Sequence, residues 1–430
     1  MTNDVIKNED LEYIWHPCSQ MKDYETLPLI PIKQGKGVWL EDFDGNRYID
    51  AVSSWWVNLF GHANPRINAA VKAQVDTLEH VIFAGFTHEP AVRLAKRLVA
   101  LTPEGLTKLF FADNGSSAIE VAIKMSFHYF KNRGSLKPLV ISLENSYHGE
   151  TLGALSVGDV ALYKETYKEI LIRSVQVKSP AQVSEDAALS DLEATLKRQA
   201  HEVCCMIIEP LIQCAGNMQM YSPSYITKAK ALCEAYNVHL IADEIAVGFG
   251  RTGTLFACEQ AGITPDFMCL SKGLTGGYLP LSVVLTSDDV YNAFYCDYSE
   301  GKSFLHSHSY TGNPIACAVA NAVLDIFESD DVIENNRAKS AQMAKELERF
   351  KALENVENIR QCGMVAAFDI SGYEPSERVG LNVYRYGLDN GVLLRPLGHT
   401  VYFMPPYTIN EAEMKKMFDT AYEAVKRLVR

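Results

Sequence analysis

The chain runs to 430 residues, room for roughly two to three domains, and its 47% hydrophobic and 22% charged residues are those of an ordinary globular protein. Its 40 Lys and Arg against 53 Asp and Glu leave a net charge of −13. That balance argues against nucleic acid or an anionic membrane as the main partner, since both select basic surfaces. The opening MTNDVIKNED has no basic stretch followed by an apolar one, and no uncharged apolar run is long enough for a bilayer. The 10 cysteines form no CxxC pair, so free thiols in a reducing, cytoplasmic setting are expected. His306 and His308 are closely paired, but with no cysteine or carboxylate cluster beside them they do not read as a metal set.

Up to about residue 60 the sequence predicts short strands, with VWLEDF and RYIDAV flanking the hairpin turn Asp44-Gly45-Asn46. From Gly61 to about residue 100, apolar residues recur at helical spacing, as in INAAVKAQV and AVRLAKRLVAL. The middle alternates. Strand-like apolar runs fall at 109–113, 139–144, 203–210, 239–245, 266–271 and 281–286, with helical stretches between them. Several are apolar almost throughout, the pattern of a parallel sheet covered on both faces. Asn313-Pro314 opens the helical PIACAVANAVLDIF, with Asn as cap and Pro in the first turn. Charged residues rise after Glu328, where a domain boundary is expected, followed by an α+β unit.

Three of these strands end on residues that carry chemistry. Asn114-Gly115-Ser116-Ser117 follows one strand and opens the helical AIEVAIKMSFHYF, with Ser117 and Glu120 at capping-box spacing. Free amides and the helix dipole make such a start an anion seat, and glycine lets a phosphate approach the backbone. Asp243, in HLIADEIAVGFGRTG, stands at a strand's carboxyl end, where open α/β sheets bind ligands. A carboxylate there is either a turn residue or the partner of a pyridinium nitrogen, keeping that nitrogen protonated so that the ring accepts electrons. Lys272, in DFMCLSKGLTGGYLP, follows another strand and enters a glycine-rich turn. Phosphate seat, pyridine partner and Schiff-base lysine are the three anchors that pyridoxal 5'-phosphate requires.

At these residues the chain resembles the class III pyridoxal-phosphate aminotransferases. IADEI, then GFGRTG, then Pro265-Asp266 and Ser271-Lys272 match that family's pattern, and the likeness covers nearly the whole chain. The resemblance implies an α/β protein of the fold-type I architecture. A large cofactor domain with a mostly parallel sheet flanked by helices would span 60–328. A small α+β domain would be built from 1–59 and 329–430. It also implies a homodimer whose sites draw on both subunits, with Lys272 holding the cofactor and Asp243 meeting the pyridine nitrogen.

Trp15-His16-Pro17, Ser53-Ser54-Trp55-Trp56, Tyr147-His148-Gly149 and Arg395-Pro396 resemble more narrowly the biotin-pathway members of that family. This likeness implies transfer of an amine to 8-amino-7-oxononanoate, giving 7,8-diaminononanoate. It implies that Gly115 and Ser116 contact the phosphate and that Tyr147 lies against the cofactor ring and substrate. Trp55 would line the substrate pocket and Arg395 would meet the substrate carboxylate. Ser307 would lie near the substrate, and His308 and Ser309 would reach the phosphate from the other subunit. Two positions depart from the pattern. Cys18 follows Trp-His-Pro where users of S-adenosylmethionine carry tyrosine, and Glu150 follows Tyr-His-Gly where Asp is common. QMKDYETLPL and GKSFLHSHSYTGN are more similar to the branch that takes lysine, so the donor expected at the Cys18 position is S-adenosylmethionine or lysine. The alternatives are another class III enzyme acting on an ω-amine, ornithine or 4-aminobutyrate, and a pyridoxal-phosphate isomerase or decarboxylase on the same scaffold.

Overall fold

The apolar runs of the middle of the chain form one sheet. A computed structural model describes residues 2–27 and 29–428. The chain divides into two units, Met1–Pro65 with Arg337–Arg430, and Arg66–Asn336. The second unit holds a seven-stranded sheet: β1 (Lys108–Ala112), β2 (Leu139–Leu143), β3 (Ser174–Val177), β4 (Val203–Ile208), β5 (His239–Asp243), β6 (Phe267–Leu270) and β7 (Ser282–Thr286). Their order across the sheet is β1-β7-β6-β5-β4-β2-β3. β7 runs antiparallel to both its neighbours, β6 and β1, and the other four pairings are parallel.

The inner strands β2, β4, β5 and β6 are buried along their whole length because both faces are covered. In β4, Cys205 and Ile207 pack into the cluster beneath helix α1 (Gly115–Asn132), with Ala118, Ile119 and Ala122. Met206, between them, lies 3.9 Å from the Cys233 sulfur of α2 (Pro223–Ala235). β3 was not expected from the sequence. Three of its four residues, in SVQV, are only half-buried at the sheet edge, so its hydrophobic pattern is weak. The helical stretch expected from Gly61 to about residue 100 is two helices, Pro65–Val75 and Glu89–Leu101. The second has its own start, His88 Nδ1 accepting from the Ala91 amide with Pro90 in the first turn. Helix α3 (Pro314–Ser329) begins where expected, with Asn313 Oδ1 accepting from the Ala316 amide at 3.0 Å. Among the described residues no helix is long and apolar enough to cross a membrane.

The other unit contains the hairpin Trp39–Asp42 and Arg47–Asp50, inside a four-stranded sheet with Ile32–Lys36 and Val392–Leu393. Asp42 organises the turn, accepting from the Asp44 and Asn46 amides, the Asn46 and Asn3 carboxamides and the Tyr48 hydroxyl. Burial raises the Asp42 pKa, but these donors outweigh it and hold the carboxyl near about 2. A three-stranded antiparallel sheet, Val356–Cys362, Val365–Ile370 and Thr400–Phe403, packs Phe368 and Phe403 against Phe350 and Phe418.

Candidate active site

The loops at the carboxyl ends of β1, β2, β4, β5 and β6 carry the polar groups of the large unit. After β1, Asn114 caps α1. Its Oδ1 accepts from the Ser117 amide at 3.1 Å and its carbonyl from the Ala118 amide. That leaves the amides of Gly115 and Ser116 for an anion. The capping box expected from Ser117 and Glu120 does not form, because the helix starts three residues earlier, at Asn114. Glu120 serves another helix start instead. Its Oε1 accepts from Thr151 Oγ1 at 2.7 Å, the Gly153 amide at 2.8 Å and the Ala154 amide at 3.2 Å, at the head of Leu152–Val157.

The seat at the head of α1 is tight. A Cβ on Gly115 would lie 3.1 Å from Ile245 Cγ2, in the segment after β5. Gly149, at φ +121°, is closer still, since a Cβ there would lie 1.9 Å from Ser116 Oγ. Ser116 Oγ accepts from the Glu150 amide at 3.1 Å, so the loop after β2 is tied to the start of α1. Ser282, opening β7, donates its hydroxyl to the Asn114 carbonyl at 2.7 Å.

After β5, Asp243 is 5% exposed. One of its oxygens lies 2.7 Å from His148 Nδ1, and the other accepts from the Ile245 amide at 3.1 Å. His148 Nε2 is buried with no hydrogen-bond partner among the described residues. After β4 stands Glu209, whose carboxylate accepts the amides of Tyr147 at 3.1 Å and Cys214 at 3.0 Å. Burial pushes the Glu209 carboxyl up to about 7; the His148 imidazole opposes that rise and Asp243 adds to it. After β6, Lys272 adopts φ +44°, a left-handed conformation that a non-glycine residue holds only when its surroundings impose it. Ser271, before it, donates to the Leu281 carbonyl at 2.8 Å. Desolvation lowers the Lys272 amine, while Cys214, Asp243 and Glu209 pull it up and Arg251 pushes it down. A lysine so placed keeps more of its amine uncharged and nucleophilic than one in water.

Gly115, Ser116, Tyr147, Asp243 and Lys272 therefore all stand at one edge of one sheet. Tyr147 donates its hydroxyl to Glu150 at 3.0 Å and packs against Tyr163, ring centroids 5.3 Å apart. Ser307, His308 and Ser309 lie elsewhere in this unit. Their segment packs along the flank of α1, where Lys124 Nζ is 2.8 Å from His306 Nδ1 and Phe304 meets Phe110. Ser307 and Ser309 are exposed, and the two ring nitrogens of His308 are buried without partners among the described residues. Three expected residues belong to the other unit. Cys18 is exposed, at φ +46°. Trp55 is 50% exposed, whereas Trp56 is buried and donates Nε1 to the Tyr402 hydroxyl at 3.0 Å. Arg395 has its guanidinium carbon 5.8 Å from the centre of the Tyr384 ring.

Sequence reasoning assigned no role to Glu209, and none to His148 beyond its place in Tyr-His-Gly. The rule that singled out Asp243, a carboxylate ending an apolar strand, also fits Glu209 after VCCMII.

A seat that a Cβ would fill, a buried carboxylate and a desolvated lysine fit a phosphate, a ring nitrogen and an aldehyde, and together define a pyridoxal-phosphate enzyme. The comparisons agree. The model of the family "Aminotransferase class-III" matches residues 20–425. An adenosylmethionine-8-amino-7-oxononanoate aminotransferase of Helicobacter pylori is 52% identical over 414 residues, covering 95% of this chain and 94% of that one. The crystal structure of the enzyme of that name from Methanocaldococcus jannaschii superposes with a TM-score of 0.95 at 38% identity, over 99% of each chain. An omega transaminase from Pseudomonas jessenii, in complex with PMP, gives 0.92 at 27% identity, over 98% of this chain and 97% of that one. The chain belongs to the class III aminotransferases. It is a pyridoxal-phosphate-dependent aminotransferase with that family's α/β fold.

Proposed function

We propose that the chain aminates 8-amino-7-oxononanoate to 7,8-diaminononanoate, the biotin-pathway step, with S-adenosylmethionine or lysine as amino donor. The observation that carries this reading is the 52% identity, over 95% of the chain, to a relative named for that acceptor. The set Gly115, Ser116, Asp243 and Lys272 on one sheet edge supports the chemistry.

Bound pyridoxal phosphate supplies an aldehyde for the incoming amine and a ring that takes up the electrons released at the donor carbon. Gly115 and Ser116 hold its phosphate, and Asp243, oriented by His148, faces its ring nitrogen. Lys272 Nζ is the cofactor's tether. Its free amine would take the proton from the donor carbon in the first half of the reaction and return one to the acceptor's carbon 7 in the second. Its lowered pKa suits both tasks. Tyr147 would pack against the ring and the substrate. Arg395 offers the acceptor carboxylate a planar two-pronged donor, which fixes the distance from that anchor to the reacting carbon. Trp55 gives the hydrocarbon chain a flat apolar wall. Ser307 lies near the substrate, and His308 and Ser309 reach the phosphate of the other subunit in a homodimer. Cys18 occupies the donor's end of the site, and its small side chain gives S-adenosylmethionine no ring to stack on. The protein works in the cytoplasm.

The test is a donor and acceptor panel on the purified holoenzyme. Formation of 7,8-diaminononanoate with S-adenosylmethionine or with lysine is expected. Amination of 2-oxoglutarate or pyruvate with none of 8-amino-7-oxononanoate would favour the ω-amine reading instead.

A further inference from the structure

Ser53, Ser54, Trp55 and Trp56 all have positive φ, at 51°, 47°, 72° and 73°. Four successive non-glycine residues in the left-handed region make a turn of left-handed helix, closed by Trp56 N to Val52 O at 2.9 Å and Val57 N to Ser53 O at 3.0 Å. L-residues adopt such a turn only against steric repulsion, so something must hold it.

Asp50 is central to that restraint. It is fully buried, and its Oδ1 accepts from the Ser54 amide at 2.8 Å. Its Oδ2 accepts from the Ser54 hydroxyl at 2.7 Å and lies 3.0 Å from His62 Nε2. His62 Nδ1 is 3.2 Å from Asn58 Nδ2. With Asn58 donating there, the ring hydrogen is on Nε2 and points at Asp50. Ser53 donates to the Met404 carbonyl at 2.6 Å, and Trp56 is anchored on Tyr402. Ser53 and Trp56 are thus buried and anchored, Ser54 is tied to Asp50 by its amide and its hydroxyl, and Trp55 is left half exposed between two anchored neighbours. In a right-handed turn the two adjacent rings would point in other directions.

We infer that Asp50 is a positioning residue. Its carboxylate holds Ser53–Trp56 in the left-handed turn that presents the Trp55 ring to the hydrocarbon chain of the acceptor. The inference rests on the proposed acceptor. It adds that the wall the acceptor meets is set by a buried carboxylate that does not touch substrate.

The test uses holoenzyme labelled with 5-fluorotryptophan. The chain has 4 tryptophans, and Trp55→Phe identifies the Trp55 fluorine resonance. Asp50→Asn keeps the shape but sets an amide N–H against a donor. It is expected to shift or broaden the Trp55 resonance while leaving that of Trp15 in place. It is also expected to raise the acceptor KM about tenfold with the donor half-reaction unchanged. A second pair covers the case in which Asp50→Asn does not fold. Ser54→Ala and Ser54→Gly both lose the hydroxyl, but only glycine accepts φ 47° without strain. The alanine variant is expected to raise the acceptor KM and the glycine variant to stay near native. An unmoved Trp55 resonance in Asp50→Asn, an unchanged acceptor KM, or equal behaviour of the two Ser54 variants would each overturn the inference. Failure of the proposed function is separate, since it appears in the native protein as no turnover of the acceptor.

Discussion

His148 Nδ1 lies 2.7 Å from Asp243 Oδ2, with the two side chains 0% and 6% exposed. Removing the imidazole leaves a buried carboxylate oxygen without its partner, and the desolvation of that group is then uncompensated. His148→Leu is expected to lower apoprotein stability by about 1–3 kcal/mol. It should also weaken cofactor binding, because Asp243 is no longer held in place. His148→Asn, which keeps an N–H, should lose less on both counts. Urea unfolding of the apoprotein and spectral titration with pyridoxal phosphate measure the two effects.

Gly149 has no room for a side chain and a backbone that disfavours one. Gly149→Ala must move Ser116 or the loop after β2, since the added carbon would lie 1.9 Å from Ser116 Oγ. The expected result is about tenfold or more weaker cofactor binding, equivalent to about 1.4 kcal/mol. Apoprotein unfolding should change less, because the contact is local to the seat. Equilibrium dialysis of the cofactor against native and variant protein decides this.

Glu244, beside Asp243, is fully buried and accepts the amides of Ala257 at 2.9 Å and Cys258 at 2.7 Å. Burial pushes its carboxyl up to about 7, from 4.5 in water, against the pull of those amides. A raised carboxyl means that the folded chain binds the proton more tightly than the unfolded one. Its contribution to stability is therefore greatest at low pH and declines as pH rises from 4.5 to about 7. Glu244→Gln cannot lose a proton. The stability difference, variant minus native, should grow between pH 4.5 and pH 7.5 by up to about 3 kcal/mol. Unfolding curves of both apoproteins across that range give the slope.

Glu120 joins two helices. Glu120→Ala leaves Thr151 Oγ1 and the Gly153 and Ala154 amides without their acceptor, and should cost about 1–2 kcal/mol, the range of a lost helix cap. Amide hydrogen exchange should quicken first in Leu152–Val157. Uniform exchange across the chain would count against a local capping role.

What could be read beforehand followed the strength of local signals. VCCMII, HLIAD and FMCL are apolar because both their faces are covered, so their strands stood out, as did Asp243 and Lys272 at the ends of the last two. Asn313-Pro314 carries its cap and its first-turn proline within two residues. β3 was invisible because SVQV lies at the edge and is half solvated. β7 resembles its neighbours in composition, and nothing local records that it runs the other way. The Ser117–Glu120 spacing misled because the true cap, Asn114, competes for the same helix start, and the partners of Glu120 lie more than 30 residues further on. Glu209, Glu244 and Asp50 owe their surroundings to contacts across the fold, which no window of sequence displays. Nor does the run Ser53-Ser54-Trp55-Trp56 announce a reversed hand, since none of its residues is glycine.

The hydroxyl of Ser282 on the carbonyl of Asn114 spans 168 residues of sequence. During synthesis Asn114 leaves the ribosome long before its companion is made. Among the described residues, β1 has β7 as its only sheet neighbour and so waits for it. The end of β1 that leads into the proposed phosphate seat is thus completed late, by a strand inserted in reverse. A nascent chain shorter than about 290 residues lacks β7, and with it the late support beneath the proposed phosphate seat.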